Sequence, residues 1–170
     1  FSALLAASLA LAAASGGTLA AAFVFLGAFT YGIVYTVWLK RRSVWNIVIG
    51  GLAGSFAVLA GAAAVDPSPQ VVPVLLALVL FLWTPPHFWS LAAAKGKDYT
   101  RAGVPMLPVV EGRIETCKQI LIYSVILAPL AVSPWFIGFA SVYYGVFALL
   151  LSALFIGFAW RVWLTRMEPD

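Results

Sequence analysis

Charge is what this sequence has least of. Of its 170 residues only 9% are Asp, Glu, Lys or Arg, against about 25% in a soluble domain. That deficit, with long apolar runs and 64% hydrophobic residues, excludes a soluble globular module. Mean hydropathy is +1.03, and the chain reads as an all-α integral membrane protein. There is one cysteine, Cys117, so an internal disulfide and a cysteine-held metal cluster are excluded; it reads as an incidental small residue. There is one histidine, His87. The net charge of +4 does not indicate nucleic acid, because the basic residues fall only in short gaps between apolar runs. A starting Met and a signal-peptide n-region are also missing.

Six apolar segments can be read in what is present: about 1–14, 18–39, 47–65, 71–94, 120–137 and 139–163. They form one domain over 1–170. The first is short of the roughly 20 residues a crossing needs, so the expectation is a cut first helix; the polar stub Met167–Asp170 looks cut as well. Ser15-Gly16-Gly17 is expected to turn the chain between the first two segments, and Asp66-Pro67-Ser68-Pro69 between the third and fourth. If the segments alternate, Lys40, Arg41, Arg42, Lys95, Lys97, Arg101, Arg113, Lys118, Arg161 and Arg166 all fall on one side. The positive-inside rule makes that side cytoplasmic, with the C-terminus inside. The tryptophans (38, 45, 83, 89, 135, 160 and 163) mostly sit near segment ends, as an interfacial belt requires.

Within the spans, Gly50, Gly54 and Gly61 share nearly one helix face beside Gly51. They serve close helix packing, or make room for a bulky ligand. Pro129 and Pro134 are expected to kink the fifth segment.

The chemistry gathers in two basic loops. In the first, Lys40 and Arg41 either anchor to anionic lipid or clamp phosphate oxygens, with Tyr35 and Asn46 as neutral donors. In the second, Asp98 stands among Lys97, Tyr99 and Arg101. It is either a solvated charge cluster or a Mg²⁺ ligand for a diphosphate, because Mg²⁺ takes one or two carboxylates plus phosphate oxygens. Gly103, Pro105 and Pro108 are expected to make a rigid return path. His87 lies eight residues above Lys95, about 12 Å deeper on a helix. Pro85 and Pro86 before it free backbone carbonyls, tolerated only beside protein or a cavity. His87 either bonds those carbonyls, works as an acid–base or substrate contact, or ligates haem.

Three blocks carry a family resemblance. They are Tyr35-Thr…Leu39-Lys-Arg…Asn46-Ile-Val-Ile-Gly-Gly51, then Leu82-Trp-Thr-Pro-Pro-His-Phe-Trp89, then Asp98-Tyr…Ala102-Gly-Val-Pro-Met-Leu-Pro-Val-Val110. In this order and spacing they resemble the protoheme IX farnesyltransferases, the haem O synthases among the UbiA-type intramembrane prenyltransferases. The resemblance covers most of the chain. It implies six segments of a nine-helix bundle in the bacterial inner membrane, with a cavity near the cytoplasmic face. It implies transfer of a farnesyl group from farnesyl diphosphate to the 2-vinyl group of haem B, which is substrate rather than cofactor, giving haem O for haem–copper oxidases. Diphosphate departs with Mg²⁺ assistance, the vinyl carbon attacks the allylic cation, and water quenches the product cation. Haem A synthase or oxidase assembly factors are implied partners.

Carried over residue by residue, Asp98, Lys97 and Tyr99 are catalytic, with Asp98 the metal ligand. Lys40, Arg41, Asn46, Tyr35 and Arg101 bind diphosphate, and His87 lies on the haem side. The family's first Asn/Asp-rich motif is absent and is expected N-terminal to Phe1; a last helix is expected after Asp170. The isolated 170 residues are therefore expected to be inactive. Other readings are a prenyltransferase for a quinone or chlorophyll precursor, a transporter or channel module, and a non-catalytic assembly subunit. The His87 and Met106-Leu-Pro108 blocks weigh against the first, and the lack of other buried charge against the second.

Overall fold

The computed structural model describes residues 2–68 and 70–165. Phe1, Pro69, Arg166 and the Met167–Asp170 stub lie outside the described residues. All regular structure among the described residues is helical. Helix α1 (Ser2–Phe29) passes directly into a π-helix, Thr30–Leu39. Then come α2 (Asn46–Gly50), α3 (Leu52–Val65), α4 (Val71–Ala94), α5 (Gly96–Arg101), α6 (Leu107–Val110), α7 (Gly112–Phe136) and α8 (Val142–Thr165). Five helical stretches are long and apolar enough to cross a membrane: 2–39, 46–65, 71–94, 112–136 and 142–165. The protein is a multi-pass integral membrane bundle.

The expected break between the first two segments is present: two helices meet at a kink at Gly17. Ser15 stays helical, its hydroxyl donating to the Leu11 carbonyl at 2.7 Å. Only Gly17 leaves the helical basin, at φ 80° and ψ 176°. This one positive-φ residue breaks the helix in two, a conformation glycine adopts without Cβ strain. The fifth expected segment starts earlier, at Gly112. Its polar first turns hold themselves: Glu115 accepts from Gln119 at 2.7 Å and from Lys118 at 3.3 Å, pairings that favour a helix. Pro134 stays inside α7, and the Ser133 hydroxyl takes up the Leu130 carbonyl that Pro134 leaves free.

Consecutive spans pack antiparallel. Phe23 stacks on Phe56 at 6.4 Å. The Ser55 hydroxyl crosses from α3 to donate to the Ala77 carbonyl at 2.8 Å. Trp89 meets Tyr123 edge-on at 5.4 Å between α4 and α7. The Tyr144 hydroxyl donates from α8 to the Ala131 carbonyl at 2.8 Å. Among the described residues each long helix touches only its neighbours in chain order, so the bundle is an open row. This alternation carries residues 40–45 and 95–111 to one end, and 66–68 and 137–141 to the other. Every described Lys and Arg is at the first end.

Candidate functional site

The first loop is positioned by the π-helix. The Lys40 amide donates to the Tyr35 carbonyl, five residues back, at 2.8 Å, and the Thr36 hydroxyl reaches the Tyr31 carbonyl at 2.7 Å. Runs of this register are rare and are found mostly at functional sites. It sets Tyr31 against Tyr35, ring centres 5.7 Å apart, and Lys40 Nζ 5.8 Å from the centre of the Tyr35 ring. A methyl on Gly50 would meet the Tyr35 ring at 2.7 Å. Gly51 and Gly54 likewise face Thr84 and Leu80, at 3.3 and 3.2 Å. Gly61, by contrast, faces open space. The face of Gly50, Gly51 and Gly54 borders both neighbouring side chains and open space. It packs helices, and it forms the wall of a hollow of about 380 Å³ lined by Tyr31, Tyr35, Lys40, Trp83, Thr84 and Phe88. Arg41 is exposed at the rim of this end.

The second basic loop is part helix and part core. Lys97, Asp98, Tyr99 and Arg101 lie on the short helix α5. Gly103, at φ 64°, ends it, with amide bonds from Gly103 to the Thr100 carbonyl and from Val104 to the Tyr99 carbonyl. Val104, Met106 and Leu107 are buried in one cluster with Ile47, Trp89, Ala92 and Ile120, and Tyr35 and Tyr99 pack against it. The apolar half of this loop is core, which its surrounding charges disguised. Lys97 and Asp98 line a polar hollow of about 540 Å³ together with Lys95 and Arg113. Lys95 and Arg113 entered the sequence reading only as topology markers. Arg101 is exposed outside this hollow.

The two loops share one end of the bundle, yet each has its own hollow. Lys40 and Tyr35 do not line the space that Lys97 and Asp98 line. Asn46 joins the loops. It is fully buried; its Nδ2 donates to the Ser43 carbonyl at 2.7 Å and across to the Pro105 carbonyl at 3.3 Å. That arrangement leaves Asn46 no free donor for a diphosphate, contrary to expectation. Its Oδ1 and Trp89 Nε1 are buried without partners among the described residues. An orphaned polar atom costs about 1–3 kcal/mol, which the donor bonds of Asn46 must offset.

His87 makes no hydrogen bond among the described residues, so it does not take up the carbonyls freed by the buried Pro85 and Pro86. Its ring is exposed, stacked on Trp83 at 4.2 Å with an 18° interplanar angle, and edge-on to Phe88 at 5.2 Å. Trp83 also borders an apolar hollow of about 530 Å³ between α4, α7 and α8, which periodicity could not reveal. Trp89, expected in an interfacial belt, is a core residue only 2% exposed. Cys117 is buried, as a small core residue should be.

The family's implied Mg²⁺ can be tested against the donors present. No group of three or more His, Cys, Asp or Glu side chains able to hold a metal occurs among the described residues. The Asp98 carboxylate makes no ion pair among them and opens on a hollow lined by three cations. One free carboxylate fits an ion whose other ligands are phosphate oxygens and water.

The sequence pattern of the UbiA prenyltransferase family matches residues 1–170. A Paramagnetospirillum magneticum protein named protoheme IX farnesyltransferase 2 is 59% identical over 143 residues, covering 84% of this chain and 50% of that protein. Another from the same organism, named protoheme IX farnesyltransferase 1, is 54% identical over 155 residues, 91% of this chain and 55% of that protein. A Bartonella henselae protein named protoheme IX farnesyltransferase is 50% identical over 144 residues, 85% of this chain and 46% of that protein. The chain thus spans about half the length of the curated relatives it matches. No solved structure matches it.

Proposed function

The chain belongs to the UbiA prenyltransferase family, and from that premise we propose that it serves an intramembrane farnesyltransferase making haem O from protoheme IX. Farnesyl diphosphate and haem B are the substrates. The observation that carries this reading is the meeting, at one end of the bundle, of two cationic loops, the first beside an apolar hollow and the second around a polar one. Lys40, with Arg41 beside it, grips diphosphate oxygens from one side, and the Tyr35 hydroxyl is a neutral donor. Lys97 and Arg101 neutralise the charge that grows on the leaving group. Asp98 would hold Mg²⁺ through its carboxylate, and the ion, when bound, would add positive charge at the departing diphosphate. Tyr99, packed on the shared core, orients α5.

The carbon–oxygen bond breaks with its electron pair leaving on diphosphate. The farnesyl cation then bonds to a haem vinyl carbon, water adds to the cation so formed, and a proton is lost. Apolar walls keep water from the first cation. The Trp83–His87–Phe88 face of α4 is the haem side, where a flat macrocycle would meet stacked rings. The basic end faces the cytoplasm, by the positive-inside rule, in a bacterial inner membrane. Haem A synthase or oxidase assembly factors are the partners such a product requires.

The test is pigment extraction from cells lacking haem O synthase, complemented with the gene that encodes this chain at full length. Haem O should reappear, and Asp98→Ala should lower it about a hundredfold or more. Wild-type levels of haem O from Asp98→Ala would remove Asp98 from the site. A prenylated quinone in place of haem O would sink the haem reading.

A further inference from the structure

We propose that Asn46 is a positioning residue: its buried carboxamide pins the second cationic loop onto the first and sets the distance between Lys40 and the Lys97–Asp98 pair. This rests on the reading that both loops hold one diphosphate. Asn46 lies six residues beyond Lys40, and Pro105 seven beyond Asp98. The bond from Asn46 Nδ2 to the Pro105 carbonyl is the only side-chain hydrogen bond joining the two loops among the described residues. The same nitrogen is tied to the Ser43 carbonyl at 2.7 Å. One amide group therefore closes the turn of its own loop and captures a backbone carbonyl 59 residues away. Both loops also contribute apolar side chains to one cluster, Ile47 from the first side and Val104, Met106 and Leu107 from the second. Grease alone allows sliding; a directional bond in that dry setting fixes the register. The Pro105 carbonyl accepts no other hydrogen bond among the described residues, and alanine offers it no donor.

The experiment uses the full-length protein and the variant Asn46→Ala, read by amide hydrogen exchange and by steady-state kinetics with farnesyl diphosphate. The amides of Val104, Met106, Val109, Val110 and Glu111, all bonded within the second loop, should exchange about tenfold faster, the net worth of one hydrogen bond in a dry site. Amides of residues 142–155 in α8 should not change. KM for farnesyl diphosphate should rise about tenfold with a smaller fall in kcat, as displaced ground-state contacts require. If Asn46→Ala does not accumulate, Asn46→Ser is used: its shorter side chain can serve the Ser43 turn but not span to Pro105. Unchanged exchange at 104–111 overturns the pin. Equal acceleration there and in α8 also overturns it, since Asn46 would then be only a stability residue. Faster exchange confined to 104–111 with an unmoved KM keeps the pin and removes the shared diphosphate instead.

Discussion

Replacing Gly50 with alanine isolates why a glycine stands at the end of α2, against the Tyr35 ring. The added methyl would lie 2.7 Å from Tyr35 Cδ2, 3.2 Å from Cγ and 3.3 Å from Cε2. Three atoms of one rigid ring are involved, so no flexible end can swing aside; the ring or the backbone must shift. Overpacking of this kind costs about 1–3 kcal/mol. It acts against a helix-propensity gain of about 0.5–1 kcal/mol for Gly→Ala. Gly61→Ala on the next helix supplies the control, since nothing lies within 4 Å of its added methyl. The propensity gain is common to both variants and cancels in their difference, leaving the clash. The expected gap between them is therefore about 1–3 kcal/mol in favour of Gly61→Ala, or a Tm gap of roughly 1–2 °C per kcal/mol in the longer full-length protein. The assay is thermal unfolding of the detergent-solubilised full-length protein, with Tyr35→Ala added to each variant to complete a double-mutant cycle. Removing the ring should erase most of the gap. Equal Tm values for Gly50→Ala and Gly61→Ala would refute the claim that Tyr35 occupies the Cβ position. The ring displaced by Gly50→Ala carries Lys40 above it, so weaker use of farnesyl diphosphate should accompany the lower Tm.

Two further outcomes are expected. His87→Phe keeps an aromatic ring against Trp83 but removes the ring nitrogens; folding should be unchanged, while haem retained on purification, read by absorption, should fall if a nitrogen contacts the macrocycle or its iron. Asp66, at the opposite end, accepts from the Ser68 amide at 2.9 Å and from Gln70 at 2.6 Å. The Ser68 bonds, then Gln70, hold its carboxyl below the ordinary 3.8. A depressed folded value means the turn's contribution is present above 3.8 and is lost as pH falls through the lower folded value. Asp66→Asn should flatten that acid limb slightly in a stability-versus-pH series, the group being fully exposed.

Much of the molecule is legible along the chain because the cost of placing a side chain in lipid is nearly additive. Apolar length, the scarcity of charge and the clustering of Lys and Arg therefore declared the spans and the end that carries the loops. The blocks around Tyr35, His87 and Asp98 declared the family. What was not legible depends on contacts between distant residues. These helices are apolar on nearly every side, so no periodicity says which face turns inward; only packing made Trp89 core, and only Tyr35 gave Gly50 its role. Charges around Val104 and Met106 masked an apolar anchor that exists because Ile47 and Trp89 are there to receive it. The tertiary structure alone decided that the two cationic loops have separate hollows, and that the amide of Asn46 is spent between them. Hydrogen bonds over 59 residues of chain leave no trace in local sequence.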